Sequence, residues 1–375
     1  MTTGLSRCSR PPPYVAPPCR PAPPSPEDGK HISKTDRMTP LFHPRLVNDP
    51  FGDPGLFIEC LFERRAIVFD LGDNQPLSAR SLLKISDAVV SHAHMDHFAG
   101  FDRLLRIILG RGKGLRLFGP AGFIDRVGHK LAAYTWNLAA SYPNDLVLSA
   151  TEIHGNDHGA SARFHLKEGF RRGGAPRAVN LSDGVVLDEE GFCIRVAVID
   201  HGIPCLAMAL EEKSHVNVWK SGVEGMGFRV GPWLRDLRRA ALAGLPDDSA
   251  FRVRWSEGGE RRERVVPLGE LKARMLRIVP GQKIVYVTDA AFHEANAEAI
   301  VGLARNADAL FIEAGFLDCD AAVAAARRHL TARQAGRLAR AAGARRVVPF
   351  HFSTRYRGDG AALVAEAEAA WAQEA

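Results

Sequence analysis

Between His92 and His97 the chain sets three imidazoles and a carboxylate within six residues, His92-Ala93-His94-Met95-Asp96-His97. The cluster follows directly on an apolar run, Ala88-Val89-Val90, that reads as a strand. A short turn can aim several imidazole nitrogens at one point, and such nitrogens suit zinc. The carboxylate among them can bind a second metal or take a proton from an activated water. A turn this rich in ligands limits the folds available, because the ligands still missing must arrive from distant segments on a rigid frame.

The rest of the chain repeats the device. Ala66-Ile67-Val68-Phe69 ends in Asp70, and the alternating run from Ile194 to Ile199 ends in Asp200 and His201. Ile284-Val285-Tyr286-Val287 leads into Thr288-Asp289, and Val347-Val348-Pro349-Phe350 into His351. Helical signals fill the intervals. Phe101, Leu104, Leu105 and Ile108 recur at helical spacing, with Asp102, Arg103 and Arg106 on the other face. Thr331 and Gln334 have capping-box spacing, and Gly343 stands where a glycine ends a helix. Strands and helices in alternation, with ligands at the strand ends, imply an α/β chain with helices outside two sheets.

Composition narrows the class. At 375 residues, with 46% hydrophobic and 25% charged residues, the chain reads as an ordinary globular protein with a sizeable core. A net charge of +6 leans toward an anionic partner such as nucleic acid. Cys8, Cys19, Cys60, Cys193, Cys205 and Cys319 show neither paired metal spacing nor a disulfide framework, which fits a reducing cytoplasm. No apolar run is long enough to span a membrane. Residues 1–37, with Pro11-Pro12-Pro13, Pro17-Pro18 and Pro23-Pro24, are expected to be a disordered proline-rich tail ahead of a folded domain over 38–375. Within that domain, 214–280 shows little strand or core periodicity, many glycines and many arginines, and is expected to be an inserted arm or lid. His154, Asp157 and His158 form a second polar cluster with no strand to aim it, expected to be a surface loop.

His-x-His-x-Asp-His, followed by later strand-end His, Asp and His residues, resembles the metallo-β-lactamase superfamily. Four segments are similar to one branch of it, ribonuclease Z, the tRNA 3′-processing endonuclease. They are Ser91 to His97, Val198-Ile199-Asp200-His201-Gly202, Ile312-Glu313-Ala314 with His329-Leu330-Thr331, and His351-Phe352-Ser353-Thr354-Arg355-Tyr356-Arg357-Gly358-Asp359. The resemblance implies an αββα sandwich (α/β, of α+β type) of two mixed sheets with helices outside, plus the inserted arm. It implies two zinc ions, with manganese as the alternative. His92, His94 and His201 would hold the first, Asp96, His97 and His351 the second, and Asp289 would bridge them; Asp70 would back the set. Asp96 would act as base. His329 would protonate the departing 3′-oxygen, with Glu313 orienting it.

In the arm, Gly231-Pro232-Trp233-Leu234-Arg235-Asp236-Leu237-Arg238-Arg239 resembles the segment with which that family grips the tRNA body. Gly231, Pro232, Arg235, Arg238, Arg239 and, from the C-terminal motif, Arg355 are therefore expected to contact substrate, with arginines and one aromatic suiting phosphate contact and stacking. A homodimer, a pre-tRNA substrate and no membrane association follow from the resemblance. The chain departs from the family at Ile312, where a histidine is usual, and at Leu330, where serine is usual. A phosphodiesterase acting on a smaller ester is the alternative reading.

Overall fold

The computed structural model describes residues 42–372, apart from 62, 214 and 280. The proline-rich stretch 1–37 lies outside the described residues. Eight strands form one sheet in simple chain order, from Phe42–Leu46 at one edge to Arg177–Asn180 at the other. Its centre is parallel, made by Arg65–Phe69, Ile85–Val89, Gly114–Pro120 and Val147–Ile153. A second sheet of six runs Val347–Phe350, Ala309–Glu313, Lys283–Val287, Pro204–Glu212, Phe192–Asp200 and Val185–Asp188. The first three of these are parallel. Parallel strands are covered on both faces, which is why Ile284, Val285, Tyr286 and Val287 are all buried and carry no polar alternation.

Three apolar layers make the sandwich. Phe69, Val89 and Phe118 from the first sheet meet Met208, Tyr286 and Phe311 from the second. On the outer face of the first sheet, Ala88 and Leu117 pack with Leu104 and Ile108 of helix Phe101–Ile108 and Val127 of helix Phe123–Ala132. On the outer face of the second, Val285 and Leu310 pack with Ile300 of helix Glu294–Ala304, Leu338 of helix Ala332–Ala341 and Leu363 of helix Gly360–Ala372. The order is helix, sheet, sheet, helix, the metallo-β-lactamase arrangement. The parallel strands bring Asp70 and the His92 turn from one sheet, and Asp289, Glu313 and His351 from the other, to their carboxyl ends.

The insertion differs from a lid without a core. His215–Val218 pairs antiparallel with Leu276–Val279 as a stem. Beyond the stem lie helices Lys220–Gly225, Trp233–Leu242 and Leu268–Met275 and the hairpin of Ala250–Glu257 with Glu260–Pro267. Val223, Phe228, Trp233, Leu237, Val253, Leu271 and Met275 form a buried cluster of their own. Trp233, Leu237 and Ala240 of one helix and Leu268, Leu271 and Met275 of another recur at helical spacing, but each run is short and set among arginines and glycines. The stem leaves the second sheet between neighbouring strands, where Glu212 N donates to Gln282 O at 2.9 Å. The His154 cluster is an exposed surface turn, as expected, although strands flank it. His154 follows strand Val147–Ile153 in a hairpin turn to His158–His165, where it engages Glu152 (2.9 Å) while His158 engages Asp157 (2.6 Å).

Candidate metal centre

Asp289 is the hub of the side chains gathered at the rim. Its Oδ2 lies 3.7 Å from His92 Nε2, 3.6 Å from His97 Nε2 and 3.4 Å from His201 Nε2. Its Oδ1 lies 2.8 Å from His351 Nδ1. Asp96 Oδ2 is 3.5 Å from His97 Nε2 and 3.6 Å from His351 Nε2. Three overlapping groups have donor atoms within 4.8 Å of one another, His92, His94, His201 and Asp289, then Asp96, His97 and His351, and then Asp289, Glu313, His329 and His351. The buried Nε2 atoms of His92 and His97 have no hydrogen-bond partner among the described residues. Buried polar atoms are rarely left so, and nitrogens converging on carboxylates fit a divalent cation.

Hydrogen bonds behind the rings fix which nitrogen faces inward. His97 Nδ1 donates to Asp70 Oδ2 at 2.9 Å, and His201 Nδ1 donates to the carbonyl of Arg328 at 2.8 Å. Ser91 gives its one hydroxyl proton to Asp70 Oδ2 at 2.9 Å. Ser91 Oγ, 3.1 Å from His92 Nδ1, must then accept from that ring. In its neutral form each of these imidazoles turns its Nε2 lone pair toward the carboxylates.

The backbone beneath is equally constrained. Asp70 and His351 both sit in the left-handed region, at φ 59° and 57°. Asp and His tolerate it better than most residues, at a cost of about 1–3 kcal/mol each. Gly72 and Gly100 allow the strand-end loop to lie directly under the ligand turn, since a Cβ at Gly100 would strike Gly72 O and one at Gly72 would strike Asp96 O.

Burial, and then the neighbouring charge of His97, push His92 down to about 3, which keeps it neutral. Burial works against ionisation of Asp96 and Asp289, yet the neighbouring His351 and His97 rings hold Asp96 well below the carboxylate range, and the charges of the same two rings do so for Asp289. Burial also disfavours charge on His97 and His351, but Asp70 and Asp289 raise the first and Asp289 the second. The negative charge that raises them is the charge a bound cation neutralises.

Beside the cluster stands a second pair. His329 Nδ1 donates to Glu313 Oε2 at 2.8 Å, and Glu313 Oε1 accepts from Ala290 N (2.7 Å) and Leu330 N (3.1 Å). Burial opposes charge on both groups; each nevertheless stabilises the ionised form of the other, so His329 is raised and Glu313 lowered. His94, Asp96, His201, Asp289, His329 and His351 share one open cavity of about 570 Å³.

The Beta-lactamase superfamily domain matches residues 258–352. Ribonuclease Z of Deinococcus radiodurans is 33% identical over 275 residues, covering 71% of this chain and 75% of that one. Ribonuclease Z of Thermobifida fusca is 34% identical over 323 residues, covering 84% and 83%. The chain belongs to the ribonuclease Z family. Among solved structures, human tRNase Z, short form, overlaps at a TM-score of 0.46 with 18% identity, covering 84% of this chain and 93% of that one.

As a ribonuclease Z-family member the chain is a metal-dependent hydrolase, and its His/Asp cluster is the candidate metal site. The two positions that depart from the ribonuclease Z pattern, Ile312 and Leu330, are both fully buried in the core behind the site. Among the residues expected to touch substrate, Arg235, Arg238 and Arg239 lie exposed along helix Trp233–Leu242, with Gly231 and Pro232 just ahead of it. Trp233 is the exception to the stacking expectation. It is buried against Phe228 at 5.7 Å between ring centroids, its Nε1 donating to Arg229 O. Arg355 is not part of the cavity wall; its Nη1 pairs with Asp320 Oδ2 at 3.1 Å.

Several site residues escape sequence reasoning. Tyr286, whose hydroxyl donates to Asp70 Oδ2 at 3.1 Å, looked only like strand core, and the Arg328 carbonyl has no side-chain signal at all. Phe51, Asp53 and Pro54 wall the cavity from a loop tied down where Phe352 N donates to Pro50 O at 2.7 Å.

Proposed function

We propose that this chain cuts the 3′ trailer from pre-tRNA, leaving a 3′-hydroxyl on the tRNA and a 5′-phosphate on the trailer. The observation that carries the reading is the shared cavity, in which a preoriented His/Asp cluster faces a charged His329–Glu313 pair. His92, His94 and His201 would hold one zinc ion and Asp96, His97 and His351 a second, with Asp289 serving both sets; manganese is the alternative ion. Bound there, divalent ions supply Lewis acidity, activating water and neutralising charge on the phosphoryl oxygens.

The side chains do the rest. Asp96 accepts the proton of the attacking water. His329, kept protonated by Glu313, donates a proton to the departing 3′-oxygen. Arg235, Arg238 and Arg239, exposed on one helix of the arm, hold the tRNA body. The arm, 214–280, acts across a homodimer, each serving the partner's cleft, and the enzyme works in the cytoplasm. No helix among the described residues is long and apolar enough to cross a membrane.

Cleavage of a 3′-extended pre-tRNA by purified protein, with metal content determined, tests the reading. Cutting beside the discriminator nucleotide with about two zinc per chain, abolished in Asp96→Ala, is the expected result. A protein that holds its metals and hydrolyses a simple phosphodiester while leaving pre-tRNA intact would instead be an esterase of smaller substrates.

A further inference from the structure

Apart from the candidate metal ligands and His329, the cavity is lined mostly by uncharged groups. Asp53 contributes a carboxylate, and the aromatic wall, Phe51, Phe316 and Phe352, carries no charge. A strand entering it brings a negative phosphate with every nucleotide. Among the described residues lining the cavity, Arg327 is the one arginine or lysine.

Arg327 is the last residue of helix Ala321–Arg327, and its side chain is exposed. No ion pair or hydrogen bond holds that guanidinium among the described residues. The arginines around it are committed elsewhere. Arg328 pairs with Asp200 (3.7 Å), Arg333 with Asp318 (3.3 Å) and Arg355 with Asp320 (3.1 Å).

An exposed arginine with no partner is commonly just solvated. Two features distinguish this one. It borders the reacting space, and the chain that follows is fixed at consecutive residues. The helix stops abruptly because Arg328 turns left-handed, at φ 59°. That turn fastens the Arg328 carbonyl to His201 Nδ1 (2.8 Å) and the next side chain, His329, to Glu313 (2.8 Å). Arg327 therefore projects from a backbone anchored at a candidate metal ligand and at the candidate acid for the leaving oxygen.

We propose that Arg327 is a substrate-binding residue whose guanidinium takes the RNA phosphate adjoining the scissile one, on the leaving-group side. The assignment rests on the endonuclease reading of the site. Geometry favours that side because His329, two residues along, serves the departing 3′-oxygen, and the nucleotide that owns this oxygen also carries the phosphate in question. Guanidinium matches phosphate in charge and in its paired donors, and its weaker hydration suits a partly enclosed wall.

Steady-state cleavage of 3′-extended pre-tRNA over a range of salt concentrations tests it. The proteins compared are wild type, Arg327→Ala, Arg327→Lys and Arg172→Ala, the last removing an exposed arginine paired with Asp125 away from the cavity. Arg327→Ala is expected to raise KM about tenfold or more, with kcat changed much less. It should also flatten the dependence of log(kcat/KM) on log salt by about one unit. Arg327→Lys should recover part of the loss, and Arg172→Ala should match wild type.

A substrate with a neutral methylphosphonate at the adjoining phosphate supplies the second arm. Wild type should lose a similar factor on it, and Arg327→Ala should lose nothing more. An unchanged KM and salt slope in Arg327→Ala would overturn the assignment, and so would a methylphosphonate penalty as large in that variant as in wild type. Wild-type protein that hydrolyses bis(p-nitrophenyl) phosphate but leaves every RNA intact would remove the endonuclease reading and this assignment together, a result recognisable before any variant is made.

Discussion

Asp70 accepts from four donors at once, Ser91 N (2.6 Å), Ser91 Oγ, His97 Nδ1 and Tyr286 Oη. It touches no substrate, yet through His97 and Ser91 it sets the tautomers of two candidate ligands. Asp70→Ala is expected to weaken metal binding about 10–100-fold, read by titrating chelator-treated protein, whereas Tyr286→Phe should cost far less. His329 lends itself to a pH test. The Glu313 carboxylate overcomes burial to raise its pKa, so the protonated acid persists above the usual imidazole range. Activity should be full below that folded-state pKa and fall as pH rises through it. Glu313→Gln keeps an oxygen for Ala290 N and Leu330 N but removes the charge. Its alkaline limb should therefore shift to lower pH in a kcat profile; an unmoved limb would mean that His329 is not the group titrating.

At the level of elements, the turn that carries His329 is held by the cap behind it. Thr331 Oγ1 accepts from Gln334 N (3.2 Å), and Gln334 Oε1 accepts from Thr331 N (2.9 Å), a complete capping box. Thr331→Ala should cost about 1 kcal/mol in urea unfolding. The cap was legible in sequence because its partners lie three residues apart. The strand ends were legible for a similar reason: Val89-Val90 and Tyr286-Val287 sit next to the candidate ligands they deliver. The elements that could not be read draw on distant partners. Asp70 needs Tyr286 from the other sheet, and Arg355 looked free until the fold set Asp320 beside it. Trp233 looked like a stacking surface because nothing local announced that Phe228 would cover it.

Across the whole molecule, the candidate ligands come from both sheets, and the arm comes from one place in the second. Its core shares no residue with the three layers of the sandwich. A variant joining Glu212 to Gln282 through a short turn is expected to fold and to keep its metals. It should retain cleavage of a small phosphodiester and lose affinity for pre-tRNA, as binding and turnover assays would show. The sequence suggested an arm over 214–280 but not that it folds, because its apolar residues are spread over seven short elements. The stem's position has one more consequence. Its two ends leave from strands hydrogen-bonded to each other, so the sheet itself closes the loop that carries the arm. Lengthening such a loop costs only about 0.6 kcal/mol per doubling. Arms of very different size can thus be exchanged at this point while the candidate metal centre is left alone.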